Sequence, residues 1–108
     1  MAEAYRKQLV HRIIKNLLDI QLLRMVQAQP QWGYRIKKKV ETKFRMKLRH
    51  GALYPMLNSL EKKGFLTSQK QTEDGRARKI YTITKKGAEY LQSYYDILKQ
   101  QIEGTDLK

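Results

Sequence analysis

The sequence predicts a mostly α-helical domain with one β-hairpin, arranged as a winged helix-turn-helix. Three observations carry that expectation. Apolar residues recur at helical spacing in four separate stretches, near 3–28, 34–44, 51–64 and 85–102. Between the third and fourth, two β-compatible runs flank Asp74-Gly75, a strong signal for a tight hairpin turn. Positive charge gathers in the middle of the chain, where the two central helices and the hairpin fall. A helix pair followed by a basic hairpin is the order of a winged helix-turn-helix, whose second helix reads the major groove.

Residues 3–28 contain no Gly or Pro and place Leu9, Val10, Ile13, Ile14, Leu17, Leu18, Leu22, Met25 and Val26 on a broad stripe. Asn16 and Asp19 can mark a second helix start inside this run. The stripe is wider than one partner helix needs, so part of it, including Leu9 and Ile13, is expected to pack on a second subunit. Gln27 to Gly33 reads as a loop, with Pro30 and Gly33 as breakers. A helix over about Tyr34 to Phe44 follows, with Ile36, Val40 and Phe44 facing inward. Arg35, Lys37 and Lys38 crowd its first turn, where cations oppose the helix dipole at a cost of a few tenths of a kcal/mol each, roughly. A phosphate held at that helix end would reverse the sign.

Lys43 to Arg49 alternates basic residues with Phe44, Met46 and Leu48 and reads as a loop leading into a short extended segment. The central helix is marked by Leu53, Leu57 and Leu60. Pro55 is tolerated only in a first turn, so this helix should start near His50 to Ala52. Gly64 ends it, with Lys62 and Lys63 in the last turn. The hairpin then runs from Phe65 to Gln71, turns over Thr72 to Arg76, and returns from Arg78 to Ile83. Thr84 is a good N-cap for a last helix over about Lys85 to Ile102, although Lys85 and Lys86 again lie at the unfavourable end. Leu91, Tyr95, Leu98 and Ile102 step along it as in a coiled-coil seam, widened by Tyr90, Tyr94 and Ile97. Gly104 to Lys108 should fray. One domain, 1–108, is expected: N-terminal helix or helices 1–28, a DNA-binding core 31–84, and a dimerisation helix 85–103.

The 108 residues carry a net charge of +13. Residues 31–50 hold eight basic residues and one acidic, 51–88 hold eight and three, and 89–108 hold two and four. Such segregation exceeds what solubility needs and points to a polyanion. There is no Cys, so neither a disulfide framework nor a thiolate metal site is expected. The two histidines lack ligand-like spacing, and no metal or cofactor is expected. No nucleophile motif, Gly-rich phosphate loop or paired carboxylates in the basic region suggests an enzyme. No apolar run is long enough to span a membrane and no signal peptide is legible. A soluble cytoplasmic, nucleoid-associated protein is the expectation.

In helix-turn-helix geometry the residues at the start of the second helix reach base edges, which here are Arg49, His50, Ala52, Tyr54 and Asn58. Arg matches guanine and Asn matches adenine bidentately. Arg76, Arg78 and Lys79 at the hairpin tip suit the minor groove or phosphate. Tyr34, Arg35, Lys37, Lys38 and Lys47 are the expected backbone contacts. Leu9, Ile13, Leu91, Tyr94, Tyr95, Leu98 and Ile102 are the expected dimerisation residues. Trp32, the only Trp, is expected to pack in the core or at a helix cap, and not to build a small-molecule site. An architectural protein that coats DNA without sequence preference would need the same charge. An RNA-binding role is disfavoured, because the basic region has few aromatics and no aromatic strand motif for stacking bases.

Three runs also resemble the PadR family of transcriptional regulators: Trp32-Gly33-Tyr34-Arg35-Ile36, the stretch Gly51-Ala52-Leu53-Tyr54-Pro55-Met56-Leu57-Asn58-Ser59-Leu60-Glu61-Lys62-Lys63-Gly64-Phe65-Leu66, and Gly75-Arg76-Ala77-Arg78-Lys79-Ile80-Tyr81-Thr82-Ile83-Thr84-Lys85-Lys86-Gly87. The likeness spans about Leu17 to Tyr95. It implies homodimers held by the terminal helices and bound to near-palindromic promoter DNA, usually as repressors. It also implies that a small aromatic effector, bound near the dimer interface, can release DNA in some members. Arg49-His50 stands where the family tends to have Ser-Pro, which implies a base preference of its own. Ala77 stands where the family often has Pro, which implies a less rigid wing.

Overall fold

The computed structural model describes the chain from Met1 to Lys108 except Met46, Arg49 and His50, and all side chains but theirs and that of Glu73. Among the described residues, five α-helices and a three-stranded antiparallel sheet follow in the order α1 (Ala2–Asn16), α2 (Leu18–Ala28), β1 (Gln31–Trp32), α3 (Gly33–Phe44), α4 (Leu53–Lys62), β2 (Leu66–Glu73), β3 (Arg76–Ile83) and α5 (Lys85–Glu103). This is the winged helix-turn-helix expected, with α3 and α4 as the helix pair and β2–β3 as the wing.

The N-terminal stripe is two helices. Leu17, at φ −124° and ψ 39°, breaks it one residue after Asn16, and Asp19 lies in the first turn of α2. Helix α2 is the centre of the core: Leu22, Leu23 and Val26 are fully buried with Ile36 and Val40 of α3, Leu57 and Leu60 of α4, and Leu91 of α5. Each such side chain contributes about 1.5–3 kcal/mol by leaving water. Of α1, by contrast, only Ile14 is buried.

The short extended segment expected between Lys43 and Arg49 falls in part outside the described residues. The strand added to the hairpin is β1, ahead of α3, with Gln31 opposite Tyr81 and Trp32 opposite Ile80. Between α3 and α4, Arg45 takes a left-handed conformation (φ 52°), and the Leu48 amide donates to Glu41 Oε2 at 3.1 Å, which ties Leu48 to α3. The edge beside β3 is filled from residues some fifty positions away, a pairing that no local pattern encodes. The Gln31 side chain, itself buried, donates to the Met25 carbonyl at 2.8 Å and ties β1 to α2. Gly33 is therefore the first residue of α3 and not a breaker.

The hairpin pairs from Leu66↔Ile83 to Glu73↔Arg76, closed by Asp74 and Gly75 at φ 52° and 75°. Both turn residues are left-handed, as a two-residue turn matching strand twist requires. Thr84 then joins three elements. Its amide donates to the Phe65 carbonyl at 3.1 Å, its hydroxyl donates to the Gly64 carbonyl, and the same oxygen accepts from the Gly87 amide at 3.0 Å as the N-cap of α5. Lys86 donates to the Lys63 carbonyl at 2.8 Å. A cation misplaced on its own helix thus serves the carbonyl end of α4 instead.

Helix α5 divides along its length. Leu91, placed on the exposed seam by its spacing, is fully buried in the protomer's own core, and Tyr94 and Tyr95 pack partly against that core. Helix α2 packs on this half, so Leu91 is not part of an exposed seam. The far half is exposed, Ile97 by 56% and Ile102 by 86%. Past α5, Gly104 caps the helix at φ 74° and Thr105–Leu107 forms a 3-10 turn. The molecule measures 54 × 34 × 20 Å.

Candidate nucleic-acid interface

A cleft of about 670 Å³ opens between the start of α3, the outer face of α4 and the wing, lined by Trp32, Gly33, Tyr34, Tyr54, Asn58, Arg76, Ala77, Arg78, Lys79 and Tyr81. The core spacing of α4 creates it. Leu53, Leu57 and Leu60 point inward, so Tyr54, half-exposed, and Asn58, exposed, point out. Ala52, half-buried, is the N-cap residue of α4. The hairpin brings Arg76, Arg78 and Lys79 to the opposite wall.

Two contacts set the cleft's width. Gly33 lets α3 approach α4: a Cβ there would lie 2.9 Å from the Tyr54 ring and 3.6 Å from Leu57 and Tyr81. At the far end Glu61 of α4 bridges to the wing. Its Oε2 accepts from the Ser68 hydroxyl at 2.9 Å, and Lys79 Nζ lies 3.8 Å from Oε1. Burial pushes the Tyr81 phenol above its ordinary range, and the negative charge of Glu61 and then the neighbouring Tyr54 push it further. Tyr81 therefore stays a neutral wall of the cleft. A pair as exposed as Lys79–Glu61 is worth little in stability, about 0–1 kcal/mol, so its effect is geometric.

Of the residues expected to face DNA, Tyr34, Tyr54, Asn58, Arg76, Arg78 and Lys79 come together here. Arg35, Lys38 and Lys47 are exposed outside the cleft, and Lys38 lies over the Tyr34 ring at 5.5 Å. Lys37 is half-buried. Arg49 and His50 lie outside the described residues. Trp32, Gly33 and Tyr81 were not expected in this site. Trp32 is not in the buried core: it is half-buried at the N-cap position of α3, with the Arg78 guanidinium 4.6 Å from its ring centroid. The Gln31-Trp32 pair has strand-forming character, but only its pairing with β3 reveals where the indole goes.

Among the described residues no group of three or more His, Asp and Glu could hold a metal, and no helix is long and apolar enough to cross a membrane.

The sequence profile of the transcriptional regulator PadR-like family matches residues 22–93. The chain belongs to the PadR-like family. The match runs from α2 into α5 and includes the whole cleft. A transcriptional regulator of Mycobacterium tuberculosis is 31% identical to this PadR-like chain over 84 residues, 78% of the chain and 65% of that protein's length. A PadR-like transcription factor from Bacteroides fragilis has the same fold at a TM-score of 0.76 and 23% identity, covering 92% of this chain and 96% of that one. Bacillus subtilis PadR in complex with operator DNA matches at a TM-score of 0.68 and 23% identity, over 73% of this chain and 47% of that one.

Proposed function

We propose that this PadR-like regulator binds double-stranded DNA in a sequence-specific way as a homodimer on a near-palindromic operator, and that it represses transcription in the cytoplasm. The cleft carries the reading: one helix face with Tyr54 and Asn58, and a wing with Arg76, Arg78 and Lys79, all on one side of the protomer. Ala52, Tyr54, Asn58 and, from the sequence, Arg49 and His50 enter the major groove. Arg76, Arg78 and Lys79 grip the flanking phosphates. Tyr34, Arg35, Lys37, Lys38 and Lys47 hold the backbone beside α3. The B. subtilis protein of the same fold was solved in complex with operator DNA, which supports the DNA-binding reading.

Two helix ends support pairing. Tyr5, Leu9 and Ile13 are exposed by 58%, 55% and 44% along one face of α1, away from the side that buries Ile14. Ile97 and Ile102 are exposed on α5, with Leu98 half-buried between them. Two-fold pairing through these faces would cover both stripes in one step. Tyr94 and Tyr95, partly used by the protomer's own core, would border the interface. A small aromatic effector at that interface is the further ligand the family resemblance admits.

The deciding experiment is a competition assay at physiological salt between the promoter of the chain's own gene and bulk DNA. A specificity ratio of about 10³ or more is expected of a specific regulator. A ratio near unity, with tight binding to both, would instead favour an architectural role on the same basic surface.

A further inference from the structure

We propose that Trp32 is a positioning residue for DNA binding: its indole is the platform that holds Arg78 of the wing extended toward a backbone phosphate. The proposal rests on the DNA-binding reading above. In an antiparallel pair, the residue two positions along from the one directly opposite is within reach of an aromatic or long side chain. Trp32 stands opposite Ile80, so Arg78 is such a diagonal neighbour. Its guanidinium carbon lies 4.6 Å from the indole centroid, well inside cation–π range. Of the three wing cations that line the cleft Arg78 is the half-buried one; Arg76 and Lys79 are exposed.

The chemistry of guanidinium makes this a useful arrangement. A guanidinium lying flat on a ring uses only its face, whereas its five N–H donors lie in the plane and remain available to phosphate oxygens. A long side chain free in water loses rotamer freedom when it grips a phosphate, and a side chain already held against a rigid ring loses less. The strand that presents the indole is two residues long, bonded to the inner strand of the wing and continuous with α3. Trp32 therefore couples the wing arginine to the start of α3, the other end of the same cleft.

The single Trp makes the contact readable without DNA. Arg78→Ala should change the emission of Trp32 in the free protein, and unchanged emission would overturn the contact itself. On a duplex carrying the promoter of the chain's own gene, Trp32→Ala should weaken binding about three- to tenfold, the size of one such interaction. Trp32→Phe, which keeps a π face, should recover most of that loss. Trp32→Leu, which keeps apolar volume without the π face, should behave like Trp32→Ala and serves in its place should the smaller side chain fail to fold. The double variant Trp32→Leu with Arg78→Ala should bind no more weakly than Arg78→Ala alone. Additive losses would overturn the positioning role and leave DNA binding standing. No binding of the wild-type chain to any duplex, with Trp32 still responding to Arg78→Ala, would overturn the DNA-binding reading and the role together.

Discussion

Gly87 and Tyr81 show how single positions hold the domain together. A Cβ on Gly87 would lie 2.1 Å from the Phe65 carbonyl oxygen and 2.9 Å from the Ile83 side chain. The obstruction is backbone, which cannot swing aside, so Gly87→Ala should destabilise by about 1–3 kcal/mol or more, as overpacking does. Chemical denaturation checks this, and a wild-type midpoint would contradict it. Tyr81 makes a pH prediction. Its folded-state pKa is raised by burial and by Glu61, so the folded state holds the phenolic proton more tightly than the unfolded chain does. The associated stability is complete below about pH 10, the unfolded value, and is lost as pH rises through the folded value. The stability gap between the wild type and Tyr81→Phe should therefore narrow from pH 8 to pH 11. A constant gap would show that the phenol does not titrate differently in the folded state.

At the scale of elements, the wing is attached by a few polar contacts, of which local sequence announces only the N-cap at Thr84. Thr84 bonds to the carbonyl end of α4, to the last residue before β2 and to the first turn of α5. Thr84→Ala should cost about 1–2 kcal/mol, the upper range for an N-cap, measurable as a lower denaturation midpoint. Thr84→Ser should restore most of it. The wing tip makes a binding prediction of another kind. Arg76 is exposed beside the turn, and a phosphate contact carries little sequence information. Arg76→Ala should weaken binding to specific and bulk duplexes by similar factors. A loss confined to the operator would mean that Arg76 reads bases.

For the whole molecule, assembly separates two readings of α5. Leu91 belongs to the protomer's core, and Ile97 is exposed. Ile97→Asp should leave a folded protomer that no longer pairs and binds the operator much more weakly. Leu91→Asp should unfold the chain, because an unpaired charge would be buried. Sedimentation equilibrium with circular dichroism distinguishes the two, and a wild-type monomer at micromolar concentration would remove the basis for pairing. The charge distribution adds a prediction that no single residue makes. Operator affinity should fall steeply between about 50 and 200 mM salt as counterions are released. A flat dependence would be incompatible with phosphate contacts along the +13 chain.

Periodicity and turn chemistry alone were enough for the four helical stretches, the hairpin at Asp74-Gly75 and the cap at Thr84, because each depends on residues within a turn or two of one another. The break at Leu17 that makes two helices of the first stretch was open in the sequence and settled by the fold. The placement of Tyr54 and Asn58 opposite Leu53, Leu57 and Leu60 was legible for the same reason. Other features needed the tertiary structure. An apolar stripe says that a helix will be covered, not by what, so Leu91 and Ile102 read alike until α2 was seen to cover only one end. The third strand lay in a stretch that reads as a loop, because Gln31-Trp32 becomes a strand only through β3. Lys86 was read against the dipole of its own helix, while its partner is the carbonyl end of another. Trp32 and Gly33 entered the cleft unannounced because their roles come from Arg78 and Tyr54, residues distant in the chain. Local order follows from neighbours in sequence. Which surface each element covers, and what the cleft holds, depends on contacts made only when the whole chain is folded.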